Sequence, residues 1–152
     1  MNAKPFYRGI EKMKKQYAEE CNYWKSGKSS PDSWLEKSVQ LIESFGGQVI
    51  ASAFGFSKGK SAYMIQFDLE GEAFKIIWPV MKSKNDDDMA ARRQSATMLY
   101  HDIKASCIAA QILGTRTVFF SWLCLPDGRA NFELSNQELL ENAPKFLKGN
   151  DE

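Results

Sequence analysis

From Gln48 to Val80 apolar and polar residues alternate, whereas on both sides of that stretch they recur at three- and four-residue steps. Alternation is the signature of a half-buried strand and the longer step that of an amphipathic helix, so the pattern divides the chain into a central sheet flanked by helices. The alternating part falls into three runs, Gln48 to Phe56, Ser61 to Leu69 and Glu72 to Val80, separated by Lys58-Gly59 and Glu70-Gly71. Glycine at those points supplies the positive φ that tight hairpin turns need, which predicts a three-stranded antiparallel meander. Tyr63, Ile65 and Phe67 share one face of the middle strand, and Phe74, Ile76 and Trp78 share one face of the third; Met64, Gln66 and Asp68 take the other side of strand two.

A long helix is predicted from Asp86 to Leu113. Met89, Ala96, Leu99, Ile103, Cys107 and Ala110 lie on one stripe of it, Asp86, Asp87 and Asp88 cap its first turn, and Gly114 terminates it. At about 1.5 Å per residue it is roughly 40 Å long, enough to cross a sheet. The expected fold class is therefore α+β: an antiparallel β-meander covered on one face by a long α-helix, with additional N- and C-terminal helices. Tyr63, Ile65, Phe67, Phe74, Ile76, Leu99, Ile103 and Ala110 are its expected core. Ahead of the sheet, Ser30 caps and Pro31 opens a helix through Trp34, Leu35, Val39, Leu41 and Ile42 to Phe45, ended by Gly46-Gly47. Residues 5–25 place Phe6, Ile10, Met13, Tyr17, Cys21 and Trp24 at helical spacing, an amphipathic helix that either docks on its own domain or serves as an arm. Beyond the long helix, Thr117 to Leu125 reads as a fourth strand ended by the turn Pro126-Asp127-Gly128, and Asn131 to Leu134 as a short fifth. Ser135 caps a last helix, Asn136 to Leu147. Three units result: the helix of 1–27, one α+β domain over 28–148 and a frayed tail over 149–152.

A chain of 152 residues that is 43% hydrophobic can bury one core but not two comfortable ones. Twenty Lys and Arg against 19 Asp and Glu give a net charge of +1, which excludes a globally basic protein and leaves open a local basic patch. Cys21, Cys107 and Cys124 form no C-x-x-C pair, and two of them stand in apolar contexts as small hydrophobes. The start of the chain holds no apolar leader and nowhere do about 20 apolar residues follow one another, so the expectation is a soluble protein of the reduced cytoplasm with no membrane partner.

Several catalytic chemistries fail on spacing. Gly55-Phe56-Ser57-Lys58-Gly59-Lys60-Ser61 ends like a phosphate-binding loop, but its glycines are one residue too close and a strand follows where a helix is needed. Asp68, Glu70, Glu72 and Lys75 suggest a metal-dependent nuclease, yet Glu72 and Lys75 are three apart and point to opposite faces of a regular strand. His101 is the only histidine, which rules out a multi-histidine zinc site, and its neighbour Asp102 lies about 100° away around the helix axis. No catalytic residue, metal or cofactor is expected.

Positive charge gathers near the principal helix: Lys82 and Lys84 before it, Arg92, Arg93 and Lys104 on it, Lys58 and Lys60 at the first hairpin tip. Arg93, Thr97, Tyr100 and Lys104 follow a helical ladder and make a polar stripe with one aromatic in it. Arg92 falls beside the core stripe, so either its stem lies along the sheet edge with its head in water or it pairs with a carboxylate such as Asp68. The expected function is binding of nucleic acid, preferably single-stranded, by Lys58, Lys60, Lys82, Lys84, Arg93 and Lys104, with Tyr100 stacking on a base. The alternative is a protein-interaction or inhibitory module that uses Ile10, Met13, Tyr17 and Trp24 to bind a protein partner or a second copy of itself.

Trp78-Pro79, then Ala91-Arg92-Arg93-Gln94-Ser95-Ala96, Ile103-Lys104-Ala105 and Leu123-Cys124-Leu125-Pro126-Asp127-Gly128-Arg129 resemble a pattern of small uncharacterised proteins of phages and other mobile elements. The resemblance spans roughly half the chain, implies such a genomic setting, and carries no assigned activity. A meander backed by a long helix also looks like the sheet-and-helix units of single-strand-binding and annealing proteins, a likeness of fold and not of function.

Overall fold

The computed structural model describes residues 16–135. Strands β1 (Gln48–Ser57), β2 (Lys60–Leu69) and β3 (Glu72–Pro79) form one antiparallel sheet in the order β1-β2-β3. At both turns the two central residues have positive φ, Lys58 at 54° with Gly59 at 78° and Glu70 at 52° with Gly71 at 80°. That is the turn whose twist matches the twist of the flanking strands, so it fixes the register. The register sets Phe54 and Trp78 on either side of Tyr63, and Phe74 beside Phe67, so one face is apolar across all three strands. A bulge between Val49 and Ala51 interrupts the β1–β2 pairing and leaves Ile50 exposed.

Helix α1 (Pro31–Ser44) begins where Ser30 Oγ accepts from the Ser33 amide at 3.1 Å. Helix α2 (Asp88–Leu113) begins where the Asp87 carboxylate accepts from the Ala90 amide at 3.2 Å, and it stops at Gly114 with φ 95°. The two helices pack on each other over the apolar face of the sheet, and the expected core residues Tyr63, Ile65, Phe67, Phe74, Ile76, Leu99 and Ile103 are fully buried, Ala110 half-buried. Phe67 stands 5.5 Å from the Phe74 ring and 5.7 Å from that of Phe119. The passage from α1 to β1 is tight: a methyl group on Gly47 would meet Ile42 Cγ2 at 2.6 Å and the Asp68 carbonyl at 3.3 Å. Among the described residues no helix is long and apolar enough to cross a membrane.

Four expectations need correction. The buried side of α2 is rotated at its start: Met89 is 50% exposed, and Ala90, Ala91, Gln94 and Ser95 turn inward. The reason is that the first turns of α2 pack on the chain around residues 18–22 and on the end of β3, where Ser95 Oγ donates to the Pro79 carbonyl at 3.2 Å. Thr117 to Leu125 is not a strand. It folds as α3 (Thr115–Val118) and a 3₁₀ turn (Phe120–Trp122), and its only ladder pairing with the sheet is the isolated bridge of Leu123 to Phe74. Phe119 and Leu123 are buried while Phe120 is exposed, so four-residue spacing decided the conformation of this apolar run. Asn131 to Leu134 is likewise no strand, since α4 (Phe132–Ser135) occupies it and inserts Phe132 against Ala62 and Ile77 on the reverse face of the sheet. Finally, residues 16–25 do not continue an amphipathic helix: a 3₁₀ turn (Ala18–Glu20) is followed by a turn with Tyr23 at φ 69° and Lys25 at φ 52°. Tyr17, Cys21 and Trp24 therefore share no α-helical stripe. Phe6, Ile10 and Met13, the last predicted helix and the tail lie outside the described residues.

Truncating Phe67 to Ala should cost about 3–5 kcal/mol, because it empties the centre of a cluster of three rings. Urea denaturation should show a lower midpoint with an unchanged slope, whereas Asp68→Ala on the exposed side should stay within about 0.5 kcal/mol of the wild type.

Candidate functional site

One end of the molecule is built from three segments remote in sequence: the tip of the β1–β2 hairpin, the loop between β3 and α2, and the chain around Ala18. Their arrangement starts from Gln94, fully buried on the second turn of α2. Its amide nitrogen lies 2.7 Å from the Ala18 carbonyl, 2.9 Å from that of Asn22 and 3.3 Å from that of Cys21. The Ala18 carbonyl also accepts from the Cys21 amide at 3.1 Å, and Gln94 gathers the carbonyls of this turn and ties residues 16–25 down as a strap.

The strap in turn holds the loop before α2. Ala18 donates its amide to the Lys82 carbonyl at 2.9 Å, and the Glu19 carboxylate accepts from Ser83 Oγ at 2.5 Å and from the Lys84 amide at 2.9 Å. Ser83 Oγ accepts in its turn from the amides of Asn85 and Asp87, both at 3.1 Å. For Glu19, desolvation pushes the carboxyl up, but the bonds from Ser83 and the Lys84 backbone outweigh it and bring the pKa down to about 2.

Between this loop and the hairpin lies a cleft of about 390 Å³, lined by Phe54, Phe56 and Ser61 of the hairpin, Val80, Met81, Lys82 and Asp86 of the loop, and Asp88 and Arg92 of α2. Arg92 forms one wall. Its guanidinium lies over the Phe54 ring, 4.0 Å from the centroid, and its Nε is buried without a hydrogen-bond partner among the described residues. Arg92 takes part in none of the ion pairs among the described residues. The pairing with Asp68 considered above does not occur, because Asp68 stands opposite Ala73 on the reverse face while Phe54 and Arg92 are on the helix face. At the mouth, Phe56 keeps 65% of its surface exposed.

The basic residues singled out in the sequence separate into three groups. Lys58 and Lys60 are exposed at the hairpin tip, and Lys82 lines the cleft with an exposed 3.9 Å pair to Asp86, weak in water. Lys84 and Arg93 are engaged internally: Lys84 Nζ lies 3.0 Å from Glu20 and 5.5 Å from the centre of the Tyr17 ring, and Arg93 Nε donates to the Ser29 carbonyl at 3.0 Å. Tyr100 and Lys104 lie further along α2, where Tyr100 is half-buried 5.3 Å from Trp34 and Lys104 is exposed. The polar stripe Arg93, Thr97, Tyr100, Lys104 is thus no open surface, since Thr97 is buried and bonds back to the Arg93 carbonyl at 2.7 Å. Tyr100 belongs to an aromatic group in which His101 stacks on Tyr23 at 5.1 Å and meets Trp34 at 5.8 Å. Of the residues proposed for a protein partner, Tyr17 is exposed and Trp24 half-buried, on the strap.

Sequence reasoning passed over Phe56 and Phe54, and singled out Arg92 without placing it at a cleft. The available signal was an aromatic residue two positions before a Lys-Gly turn, which alternation alone assigns to a strand face without saying that the strand outruns the helix covering it. No protein-family model, curated protein or solved structure matches the chain.

Glu19 has a depressed pKa, so its contribution to strap docking is complete above its ordinary value of 4.5 and is lost as pH falls through about 2. In an NMR titration from neutral pH downward the Lys84 amide should move with a midpoint near 2, and Glu19→Gln should abolish that transition. A midpoint at 4.5 would detach the effect from Glu19.

Proposed function

We propose that the protein binds nucleic acid, preferably single-stranded, at the hairpin tip and the cleft beside it. The observation that carries this reading is Phe56, an aromatic ring left in solvent between two lysines of one hairpin and the mouth of a cleft whose wall is an arginine with no carboxylate partner among the described residues. Stacking on an aromatic ring together with neutralisation of phosphates is how single strands are held without sequence readout. Lys58, Lys60 and Lys82 supply charge at that end; Arg93 and Lys84 serve the fold, and Lys104, twelve residues beyond Arg92, is roughly 18 Å further along the helix axis. The setting of a phage or other mobile element is proposed on the sequence resemblance alone.

Fluorescence anisotropy with labelled single- and double-stranded oligonucleotides at two salt concentrations tests the proposal. Single strands should bind more tightly, with log affinity falling against log salt by about 0.7 per phosphate contacted. Phe56→Ala should weaken binding by about 1–3 kcal/mol. Lys58→Glu with Lys60→Glu should weaken all sequences alike and flatten the salt slope, and Lys104→Glu should change neither. Absence of binding at tens of micromolar protein in low salt removes the proposal.

A different surface favours a second reading, association with a protein partner or another copy of the chain. Ile108 and Ile112 stand one turn apart at the end of α2, both exposed, Ile112 by 81%, with Leu113 and Phe120 exposed nearby. If this row mediates self-association, Ile112→Glu should shift a concentration-dependent mass in light scattering to that of the 17.3 kDa monomer. A wild type that is monomeric at every concentration removes the self-association form of this reading.

A further inference from the structure

The wall of the cleft carries a buried polar atom with no hydrogen-bond partner among the described residues, Arg92 Nε. Behind it, and not part of the lining, the hydroxyl of Tyr63, a fully buried residue of β2, faces the Arg92 side chain. Burial pushes the Tyr63 phenol above its usual range, against the opposing effect of Arg92, so the hydroxyl keeps its proton. Buried polar groups of a folded protein are almost always satisfied, by protein, water or ligand. The Arg92 fork also rests over the Phe54 ring, 4.0 Å from its centroid, and a guanidinium suits an oxyanion bound through two parallel hydrogen bonds.

The remaining charged residues of the cleft restrict what that anion can be attached to. Asp86 and Asp88 set two carboxylates in the lining beside Lys82 and Arg92, so the lining as a whole is not basic. A ligand with several phosphates would set some of them against these carboxylates, whereas one phosphate on Arg92 avoids them. A volume of about 390 Å³ lies in the range of small-molecule sites, and the apolar part of the lining ends in the exposed Phe56 ring, on which a base can stack.

Building on the single-strand reading, we propose that the cleft takes one nucleotide unit, its phosphate held by Arg92 and its base against Phe56. A strand would then be gripped by one inserted nucleotide while Lys58 and Lys60 run along the backbone outside. The lysines would set affinity and salt dependence, and the cleft would set the requirement for a base and a phosphate at fixed separation.

Isothermal titration of the full chain with a nucleoside monophosphate, the matching nucleoside and inorganic phosphate tests this. The monophosphate should bind, and the nucleoside should bind about tenfold or more weakly for want of the charge-assisted pair. Arg92→Gln should erase that difference. Arg92→Lys keeps the charge and loses the fork, and should weaken the monophosphate while preserving the fold, which settles the matter if the Gln variant does not fold. Phe56→Ala, on an exposed side chain, should weaken the monophosphate and leave inorganic phosphate unchanged. Equal affinity for nucleoside and monophosphate, or unchanged affinity in a folded Arg92→Lys variant, overturns the proposal. Oligonucleotides that bind while the monophosphate does not, with no effect of Arg92 substitution, sink the nucleotide cleft and leave the surface reading intact. Failure of both ligand classes sinks both.

Discussion

Helix α2 has to satisfy three neighbours at once, and the structure depends on its doing so with a different row of residues for each. Ala96, Leu99, Ile103 and Cys107 enter the core with the sheet. Arg93 and Tyr100 meet the start of α1 and its approach, through the Ser29 carbonyl and the Trp34 ring. Gln94 takes the carbonyls of the strap. A helix presents a new direction every 100° or so, and three adjacent positions, Arg92, Arg93 and Gln94, are consequently sent to three destinations. Arg92 is the one directed at the gap between hairpin and loop, so the same constraint that assembles the fold delivers a cation to the cleft.

Those parts of the fold whose cause is local were legible in the sequence. Both hairpins follow from alternation and from glycine in the second turn position, and α1 follows from Ser30-Pro31. What escaped was decided by distant partners. The run from Thr117 to Leu125 is too short for periodicity to separate strand from helix, and its conformation is set by where Phe119 and Leu123 find room beside Phe74. The strap reads as helix because its apolar spacing is helical, and Gln94, which gathers the carbonyls of its turn, is more than seventy residues away. The candidate site shows the same division. Charges could be named from the sequence, but not that Lys84 and Arg93 are engaged, since their partners are a carboxylate and a carbonyl supplied by other segments.

The reverse face of the sheet adds a contrast. Lys75 of β3 is only 7% exposed there, with Glu133 of α4 also buried; burial pushes the lysine pKa down and Glu133 opposes that shift. Such an arrangement adds little net stability, but a segment that docked on this face without its carboxylate would leave a buried ammonium uncompensated. It therefore discriminates among ways of closing the chain over β3, a role the apolar helix face, with its interchangeable contacts, does not perform.

The two-residue turns of the meander also order events in time. Closing a hairpin over so short a loop takes on the order of microseconds and costs little chain entropy, so β1, β2 and β3 can zip before distant segments arrive. The bond between Glu19 and Ser83 joins residues 64 positions apart and is part-buried. Closing a loop of that length costs more chain entropy than closing a hairpin, so such a bond forms after the meander. The cleft is accordingly bounded by parts of different origin: a hairpin wall closed over a two-residue turn, and a loop wall held by a bond to a residue 64 positions away.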